Sequence, residues 1–227
     1  MNRFTKLLLN AGSSMQEATI PVRRHRLPPI GIIGLILIFS SAIAQAQVPH
    51  AESVTPPPVP ANIQVPEGNE VFLVGHGVGT QNYVCLASGF GVAYTLFTPQ
   101  ATLFNDQGEQ LTTHFFSPNP VEKGIVRATW EDSRDTSTVW GRVIASSTDP
   151  KFVTPGAIPW LLVNVKDTGA LAGPTGGDRL TRTTFIQRLN TVGGAAPSNC
   201  RTFADIGKQA FVPYTADYFF YKDASGN

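Results

Sequence analysis

Glycine and proline recur at short intervals along the chain, and this spacing is the feature that most limits the fold. The 227 residues include 21 Gly and 18 Pro. From Ile63 onward these residues leave no stretch with a long helical period, because proline breaks a helix and glycine weakens it. The segments between them are short and rich in β-branched and aromatic residues. The sequence therefore predicts short strands joined by turns.

Eight to ten segments have the alternation or the apolar run that is typical of strands. The predicted strands are residues 69–75, 81–86, 92–97, 101–105, 109–116, 124–130, 139–146, 158–166, 180–190 and 214–221. Residues 105–108 (Asn-Asp-Gln-Gly) predict a hairpin turn, and the charged residues 131–135 predict a loop. Residues 180–190 fit a strand best, with a short helix as the alternative. We expect one all-β, antiparallel domain over residues 63–223, with a sandwich-like or barrel architecture.

The N-terminal region has the three parts of a secretory signal peptide. A basic patch at residues 23–26 precedes the apolar run 30–39, and residues 44–46 (Ala-Gln-Ala) form a small-residue cleavage pattern. The uncharged stretch 27–48 is long enough to be a membrane anchor instead, although two prolines interrupt its start. We predict a cleaved signal peptide over residues 1–46, a secreted or periplasmic location and no stable membrane anchor afterwards.

Removing this leader changes the charge of the chain. The leader holds five of the 17 Lys/Arg and one of the 16 Asp/Glu, which leaves 12 basic and 15 acidic residues and a net charge of −3. A mildly acidic domain without a basic run argues against a nucleic-acid partner. Residues 47–62 contain Pro56, Pro57, Pro58 and Pro60, and we predict an extended linker there.

The chain has two cysteines, Cys85 and Cys200, and both follow the leader. An even number of cysteines in an exported protein predicts a disulfide, with two buried free thiols as the alternative. A bridge closing a loop of about 100 residues is worth about 4.7 kcal/mol in the chain-entropy model.

A glycine-rich run and two histidines bear on cofactor and metal binding. Residues 75–79 (Gly-His-Gly-Val-Gly) are glycine-rich, but a dinucleotide fingerprint requires a helix after it, and a β-like run follows here. We predict a turn or bulge at this run. His76 and His114 lack metal-ligand spacing, so we expect surface or structural histidines, no metal and no cofactor.

Four residues are candidates for ligand binding. Trp130 stands beside Glu131 and Asp132, and carboxylates next to an aromatic platform could bind or cleave sugar. The alternative is a solvated loop. Arg188 lies in an otherwise apolar segment and needs a partner if it points inward, because an unpaired buried charge is costly. Asp217 is the candidate partner, and a ligand-anchoring guanidinium is the functional alternative.

Several motifs resemble an uncharacterised family of exported proteins, domain of unknown function 3455. The similar segments are residues 79–85, 158–162, 185–194, 196–200 and 213–221, which together span about residues 63–222. One stretch departs from the family pattern, because an insertion separates residues 114–116 from Trp130. The resemblance implies an exported domain with a cysteine pair and implies no activity.

These observations lead to two functional hypotheses. The first is a non-enzymatic exported binding or surface-associated protein, whose partner is an extracellular polymer or a small apolar ligand. The alternative is a secreted hydrolase that acts on polysaccharide and uses Glu131 or Asp132. We expect no catalytic constellation beyond these residues.

Overall fold

The structure, a computed structural model, describes residues 54–226. These residues form nine β-strands and two short 3₁₀ helices, Ala61–Ile63 and Phe203–Asp205, and no α-helix occurs among them. The strands are β1 (Asn69–Ser88), β2 (Gly91–Phe104), β3 (Gln110–Asn119), β4 (Ile125–Asp132), β5 (Thr138–Ser147), β6 (Trp160–Asn164), β7 (Ala170–Leu171), β8 (Phe185–Gly193) and β9 (Gln209–Asp223). The predicted leader and the first part of the predicted linker lie outside the described residues.

Eight of the strands close into one antiparallel barrel. Their order is β4-β3-β2-β1-β9-β8-β6-β5, and β5 pairs back onto β4 from Ala128↔Gly141 to Glu131↔Thr138. Closure gives every barrel strand a hydrogen-bonded neighbour on both sides, although the ladder between β2 and β3 is only four residue pairs long. The short β7 pairs with β5 as an extra strand. The predicted all-β antiparallel fold is confirmed, and it is a barrel.

The first two strands are longer than the sequence patterns predict. β1 runs without interruption through the glycine-rich run, so the predicted turn or bulge at residues 75–79 is wrong. Gly75, Gly77 and Gly79 alternate along one face of β1. A Cβ on Gly77 would lie 2.7 Å from the Tyr218 ring, and one on Gly79 would lie 2.1 Å from the Gln100 carbonyl oxygen. The glycines therefore allow close packing inside the barrel rather than a change of chain direction.

Alternation along β9 divides its aromatic side chains between two buried layers. Tyr218 and Phe220 belong to the barrel interior, together with Trp130. Phe219 and Tyr221 face outward and pack in a second layer, which also contains Ile63, Val153, Trp160, Leu162, Phe185 and Leu189. Both faces of β9 are thus covered at residues 218–221, and the segment around Ile63, just before β1, is part of the cover.

One end of the barrel is closed by Leu180, which is fully buried in the interior core. Its backbone N–H donates to Ser137 Oγ at 3.0 Å, and the N–H of Arg179 donates to Asp135 Oδ2 at 2.9 Å. The segment predicted as a strand from residue 180 becomes one only at Phe185, because its first residues form this plug.

The turns around the barrel follow local side-chain chemistry. In the predicted hairpin between β2 and β3, Asn105 Oδ1 accepts hydrogen bonds from the backbone N–H groups of Gln107 and Glu109. Gly108 supplies the positive φ, 77°, that this turn requires. The predicted loop at residues 131–135 is shorter than expected, because β4 continues through Asp132.

The predicted pairing of Cys85 with Cys200 is present, with a Cα–Cα distance of 5.7 Å. The bond joins β1 to the segment between β8 and β9, across 115 residues of sequence. Two backbone hydrogen bonds support the same connection: the N–H of Cys85 donates to Lys208 O, and the N–H of Gly207 donates to Cys85 O. The disulfide therefore fixes the irregular segment before β9 to the barrel.

Candidate functional site

A cavity of about 200 Å³ lies inside the barrel, away from the end that Leu180 closes. Each of the eight barrel strands contributes at least one of its lining side chains. Most of the wall is apolar and includes Leu96, Phe116, Val143 and Leu161. Val143 is 48 % exposed, which places this residue at the open end of the cavity.

One wall of the cavity is a stack of two rings from neighbouring strands. His114 on β3 pairs in register with Trp130 on β4, and their rings are 4.2 Å apart between centroids with 10° between the planes. The edge of Tyr218 meets Trp130, with 6.0 Å between ring centroids. These contacts hold both rings in one orientation.

His114 is buried and neutral in this wall. Its Nδ1 lies 2.9 Å from Thr129 O, so Nδ1 carries the proton and donates it to that carbonyl oxygen. Burial lowers the pKa of His114 to about 3, although the bond to Thr129 O acts in the opposite direction. At neutral pH its Nε2 is therefore an unprotonated acceptor.

Arg188 on β8 brings a positive charge to the cavity, although only 9 % of the residue is exposed. Its Nη2 donates to Pro159 O at 2.8 Å, and its Nε has no hydrogen-bond partner among residues 54–226. No Asp or Glu in this part of the chain forms a salt bridge with it. The buried guanidinium is thus left without a counter-ion.

The predicted partner of Arg188, Asp217, lies on the other side of the sheet. Arg188 is opposite Tyr218 on the inner face, whereas Asp217 is opposite Leu189 on the outer face. There Asp217 accepts hydrogen bonds from His76 Nδ1 at 2.7 Å and from Asn190 Nδ2 at 2.8 Å. Neighbouring residues of a strand point to opposite faces, and this alternation rules out the predicted pair.

Polar groups of β1 and β9 lie near the same charge. The hydroxyls of Tyr214 and Tyr218 are 2.9 Å apart, and burial raises the pKa of both tyrosines while the charge of Arg188 opposes that rise. Gln81, which also lines the cavity, has its side-chain amide beside the Tyr214 hydroxyl, but in the described part of the chain Nε2 makes no hydrogen bond of normal geometry. The ionisable groups here are therefore neutral, apart from Arg188.

A wider hollow of about 620 Å³ lies over the seam between β2 and β3. The ladder between these strands ends at the pair Ala101↔His114, and beyond it the N–H of Phe116 donates to Thr98 Oγ1 instead. Pro99 and His114 line both the hollow and the inner cavity. These two side chains thus stand between the outer surface and the barrel interior.

The structure separates the four residues that the sequence singled out for ligand binding. Trp130 and Arg188 both line the cavity. Glu131 follows Trp130 on β4, and alternation turns it to the outer face. Asp132 is fully buried next to the plugged end, where it bonds to Arg179.

Asp132, one of the two carboxylates of the hydrolase hypothesis, forms hydrogen bonds within the turn after β4, together with Asp135. Asp132 Oδ1 accepts from the backbone N–H groups of Arg134 and Asp135, and Oδ2 accepts from Arg179 Nη1 at 3.2 Å. Asp135 accepts from the N–H and hydroxyl of Ser137. These bonds shape the turn and hold the plug.

No motif in the sequence marks Gln81 or Tyr83 as a residue of a binding site. His114 was predicted to be a surface or structural histidine. The available signal was the alternation of β1, since Gly75, Gly77, Gly79, Gln81 and Tyr83 share one face. This alternation can be recognised only once residues 75–83 are known to belong to one strand.

Two kinds of feature are absent from the described residues, namely a cluster of metal ligands and a helix that could span a membrane. Residues 54–226 contain no group of three or more His, Cys, Asp or Glu side chains placed to hold a metal ion. Within the same range, no helix has the length and apolar character needed to cross a membrane.

Comparison with known families gives one match. Residues 66–222, which are 157 of the 227, match a family described as "Protein of unknown function (DUF3455)". The chain belongs to the DUF3455 family. The match covers every barrel strand apart from the last residue of β9, so the cavity is part of the DUF3455 domain. Comparisons with the curated proteins and with the solved structures found no match.

Proposed function

We propose that this DUF3455 protein is an exported binding protein that takes a small, mostly apolar molecule into the interior of its barrel. The observation that carries the proposal is the cavity of about 200 Å³, whose mostly apolar wall contains a buried guanidinium with an unpartnered Nε. Small-molecule sites are typically concave and apolar, with a few polar groups that fix orientation.

The size of the cavity favours a small molecule over a polymer. An engineered apolar cavity of about 150 Å³ in another protein binds benzene, so a cavity of about 200 Å³ accommodates a ligand of one ring with one substituent. The lining comes from eight strands of a closed barrel, and this arrangement preorganises the site and reduces the cost of ordering it on binding.

The geometry gives less support to the polysaccharide hydrolase. Hydrolysis of a glycosidic bond requires a pair of carboxyl groups that flank the bond. In the part of the chain described, Asp132 bonds to backbone N–H groups and to Arg179, Glu131 lies on the outer face of β4, and neither lines the cavity. A binding role, in contrast, uses the residues that line the cavity.

Export is supported by the leader pattern and by the cysteine pair. The disulfide between Cys85 and Cys200 suits an oxidising compartment. Sequencing the N-terminus of protein recovered from outside the cytoplasm tests this part of the proposal. We expect the mature chain to begin at Gln47, whereas an intact Met1 or Met15 on membrane-bound protein would contradict export.

The binding proposal is tested by thermal-shift and native mass-spectrometry screens of small apolar molecules against the full mature chain. A matched pair of variants locates any binding: Val143→Trp narrows the open end, and Ile144→Trp changes its neighbour. Both positions have similar exposure, 48 % and 45 %, but only Val143 lines the cavity. We expect Val143→Trp to weaken binding and Ile144→Trp to leave it unchanged.

Two results would contradict the binding proposal. One is the absence of any ligand-induced shift for wild-type protein across the screen. The other is equal binding by the Val143→Trp and Ile144→Trp variants, because that result would place the ligand outside the barrel.

A further inference from the structure

We infer that the ligand is a small apolar monocarboxylate whose carboxylate pairs with Arg188. This inference rests on the proposed function and adds the chemical class of the ligand. It is carried by the charge of Arg188, by two other unpartnered donors in the same wall and by the volume of the cavity.

The first observation is the missing counter-ion of Arg188. An unpaired buried charge is costly, so a protein that keeps one gains if an anion completes the pair. Within residues 54–226, the guanidinium donates to Pro159 O at 2.8 Å and lies beside the Tyr218 hydroxyl, while its Nε has no partner. A carboxylate bonds to a guanidinium through two oxygens, and this geometry uses more of its N–H groups.

The second observation is that the unpartnered donors are concentrated here. Five buried side-chain polar atoms lack a hydrogen-bond partner in the described structure, and three of them belong to cavity-lining residues: Gln81 Nε2, Trp130 Nε1 and Arg188 Nε. All three are N–H groups, which donate and do not accept. Buried polar groups are normally paired, so a set of free donors indicates a ligand rich in acceptors.

The third observation limits the charge of that ligand. Arg188 is the one Lys or Arg among the lining residues, and burial keeps His114 neutral. A single positive charge balances a monoanion, whereas a phosphate group with a charge of about −1.5 to −2 would leave excess negative charge in an apolar wall. The structure therefore favours a carboxylate over a phosphate ester.

The rest of the cavity wall indicates the chemistry of the remaining part of the ligand. Leu96, Phe116, Val143, Leu161 and Val163 contribute apolar surface, and the fixed rings of His114 and Trp130 form a flat side. A ring or short hydrocarbon chain buries against this surface while its carboxylate reaches Arg188. Benzoate, with one ring and one carboxylate, is the smallest probe that combines both features.

The experiment measures binding of benzoate and of its neutral isostere benzamide to the mature chain by isothermal titration calorimetry. We expect wild-type protein to bind benzoate at least about tenfold more tightly than benzamide, since a hydrogen bond between two charged groups is stronger than one with a neutral acceptor. In Arg188→Met, which retains the length of the side chain, benzoate should lose about tenfold or more in affinity. Benzamide should change by less than about threefold.

Arg142→Met is the control for loss of a positive charge. Arg142 lies on β5 and does not line the cavity, and among residues 54–226 its one salt bridge is an exposed 3.7 Å pair with Asp167. We expect it to bind benzoate as wild type does. The midpoint of thermal unfolding provides a second readout: because Arg188 has no counter-ion, Arg188→Met should keep or raise that midpoint.

The outcomes separate the two proposals. If wild type binds benzamide as tightly as benzoate, the carboxylate assignment is wrong and barrel binding stands. If Arg188→Met is less stable but binds benzoate normally, Arg188 is structural and the assignment is again wrong. If neither these probes nor any other small apolar molecule binds wild type, the proposed function fails as well. The wild-type comparison decides the carboxylate question even if Arg188→Met does not fold.

Discussion

His114 lies flat on Trp130 inside the barrel, with 4.2 Å between the ring centroids and 10° between the ring planes. This contact buries an imidazole whose only hydrogen bond within residues 54–226 is from Nδ1 to Thr129 O. Protonation of Nε2 would place a second positive charge near Arg188, and the stack is therefore compatible with the neutral ring only.

Acid should destabilise the protein through His114. Its folded pKa is lowered to about 3 from 6.5, so between these values the unfolded chain binds the proton and the folded chain does not. The contribution is fully present above about pH 6.5 and is lost as pH falls towards about 3, by at most about 1.4 kcal/mol for each pH unit. Urea unfolding of the wild type and of His114→Phe across this pH range measures the contribution of His114 to the free energy of unfolding. Equal pH slopes for the two proteins would contradict it.

His76 should have the opposite pH dependence. It lies on the outer face between two carboxylates, with Nδ1 2.7 Å from Asp217 and Nε2 2.9 Å from Asp106, and the hydrogen bond to Asp217 is the main reason that its pKa is raised. Its stabilising contribution is present below pH 6.5 and is lost as pH rises through the folded pKa. NMR titration of the His76 ring measures that pKa directly. Asp217→Asn should lower it, whereas an unchanged pKa would contradict the pairing.

Gly79→Ala should disrupt the pairing of β1 with β2. The added Cβ would lie 2.1 Å from Gln100 O and 2.5 Å from the Ala101 Cα. Both neighbours are backbone atoms, so a side-chain rotamer change cannot relieve the clash. Overpacking of this kind costs about 1–3 kcal/mol or more. Gly91→Ala on β2 is the matched control, because nothing lies within 4 Å of its Cβ. Chemical unfolding should show a loss for Gly79→Ala and little change for Gly91→Ala.

Removing the disulfide should lower the free energy of unfolding by about 2–5 kcal/mol. The bond between Cys85 and Cys200 closes a separation of 115 residues and restricts the unfolded chain. The Cys85→Ala/Cys200→Ala variant is compared with wild type by urea unfolding, with and without a reductant. Wild type should lose stability in the reductant while the double variant should not respond. Free thiols that alkylate in the unreduced wild type would show that the bond is not formed.

Asp132→Asn should weaken the plugged end of the barrel. Asp132 is fully buried, bonds to two backbone N–H groups and pairs with Arg179 at 3.2 Å. Loss of one partner in a buried pair costs up to about 3–5 kcal/mol, and the partial exposure of Arg179 reduces that figure. Hydrogen exchange should become faster around Leu180. A stable Asp132→Asn protein that loses a measured glycan-cleaving activity would instead support the hydrolase hypothesis.

Local sequence patterns were enough to predict the strand-forming segments, the faces of β9 and the disulfide. Alternation places Tyr218 with Phe220 and Phe219 with Tyr221 wherever the strand lies, because successive side chains of a strand point to opposite sides. Residues 105–108 encode their own turn through Asn105 and Gly108. With only two cysteines in the chain, a disulfide within it has one possible pairing.

Neither the closure of the sheet into a barrel nor the contents of its interior could be predicted from local sequence patterns. Closure depends on the pairing of β4 with β5 and on long-range register, and local patterns do not encode either. The glycines of residues 75–79 resemble a turn in sequence, yet they form the smooth inner face of β1 that lets Tyr218 approach. Arg188 and Asp217 both occur in apolar strands, and the register of β8 with β9 puts the sheet between them. The unpaired guanidinium, on which the functional proposal rests, is thus a product of strand register.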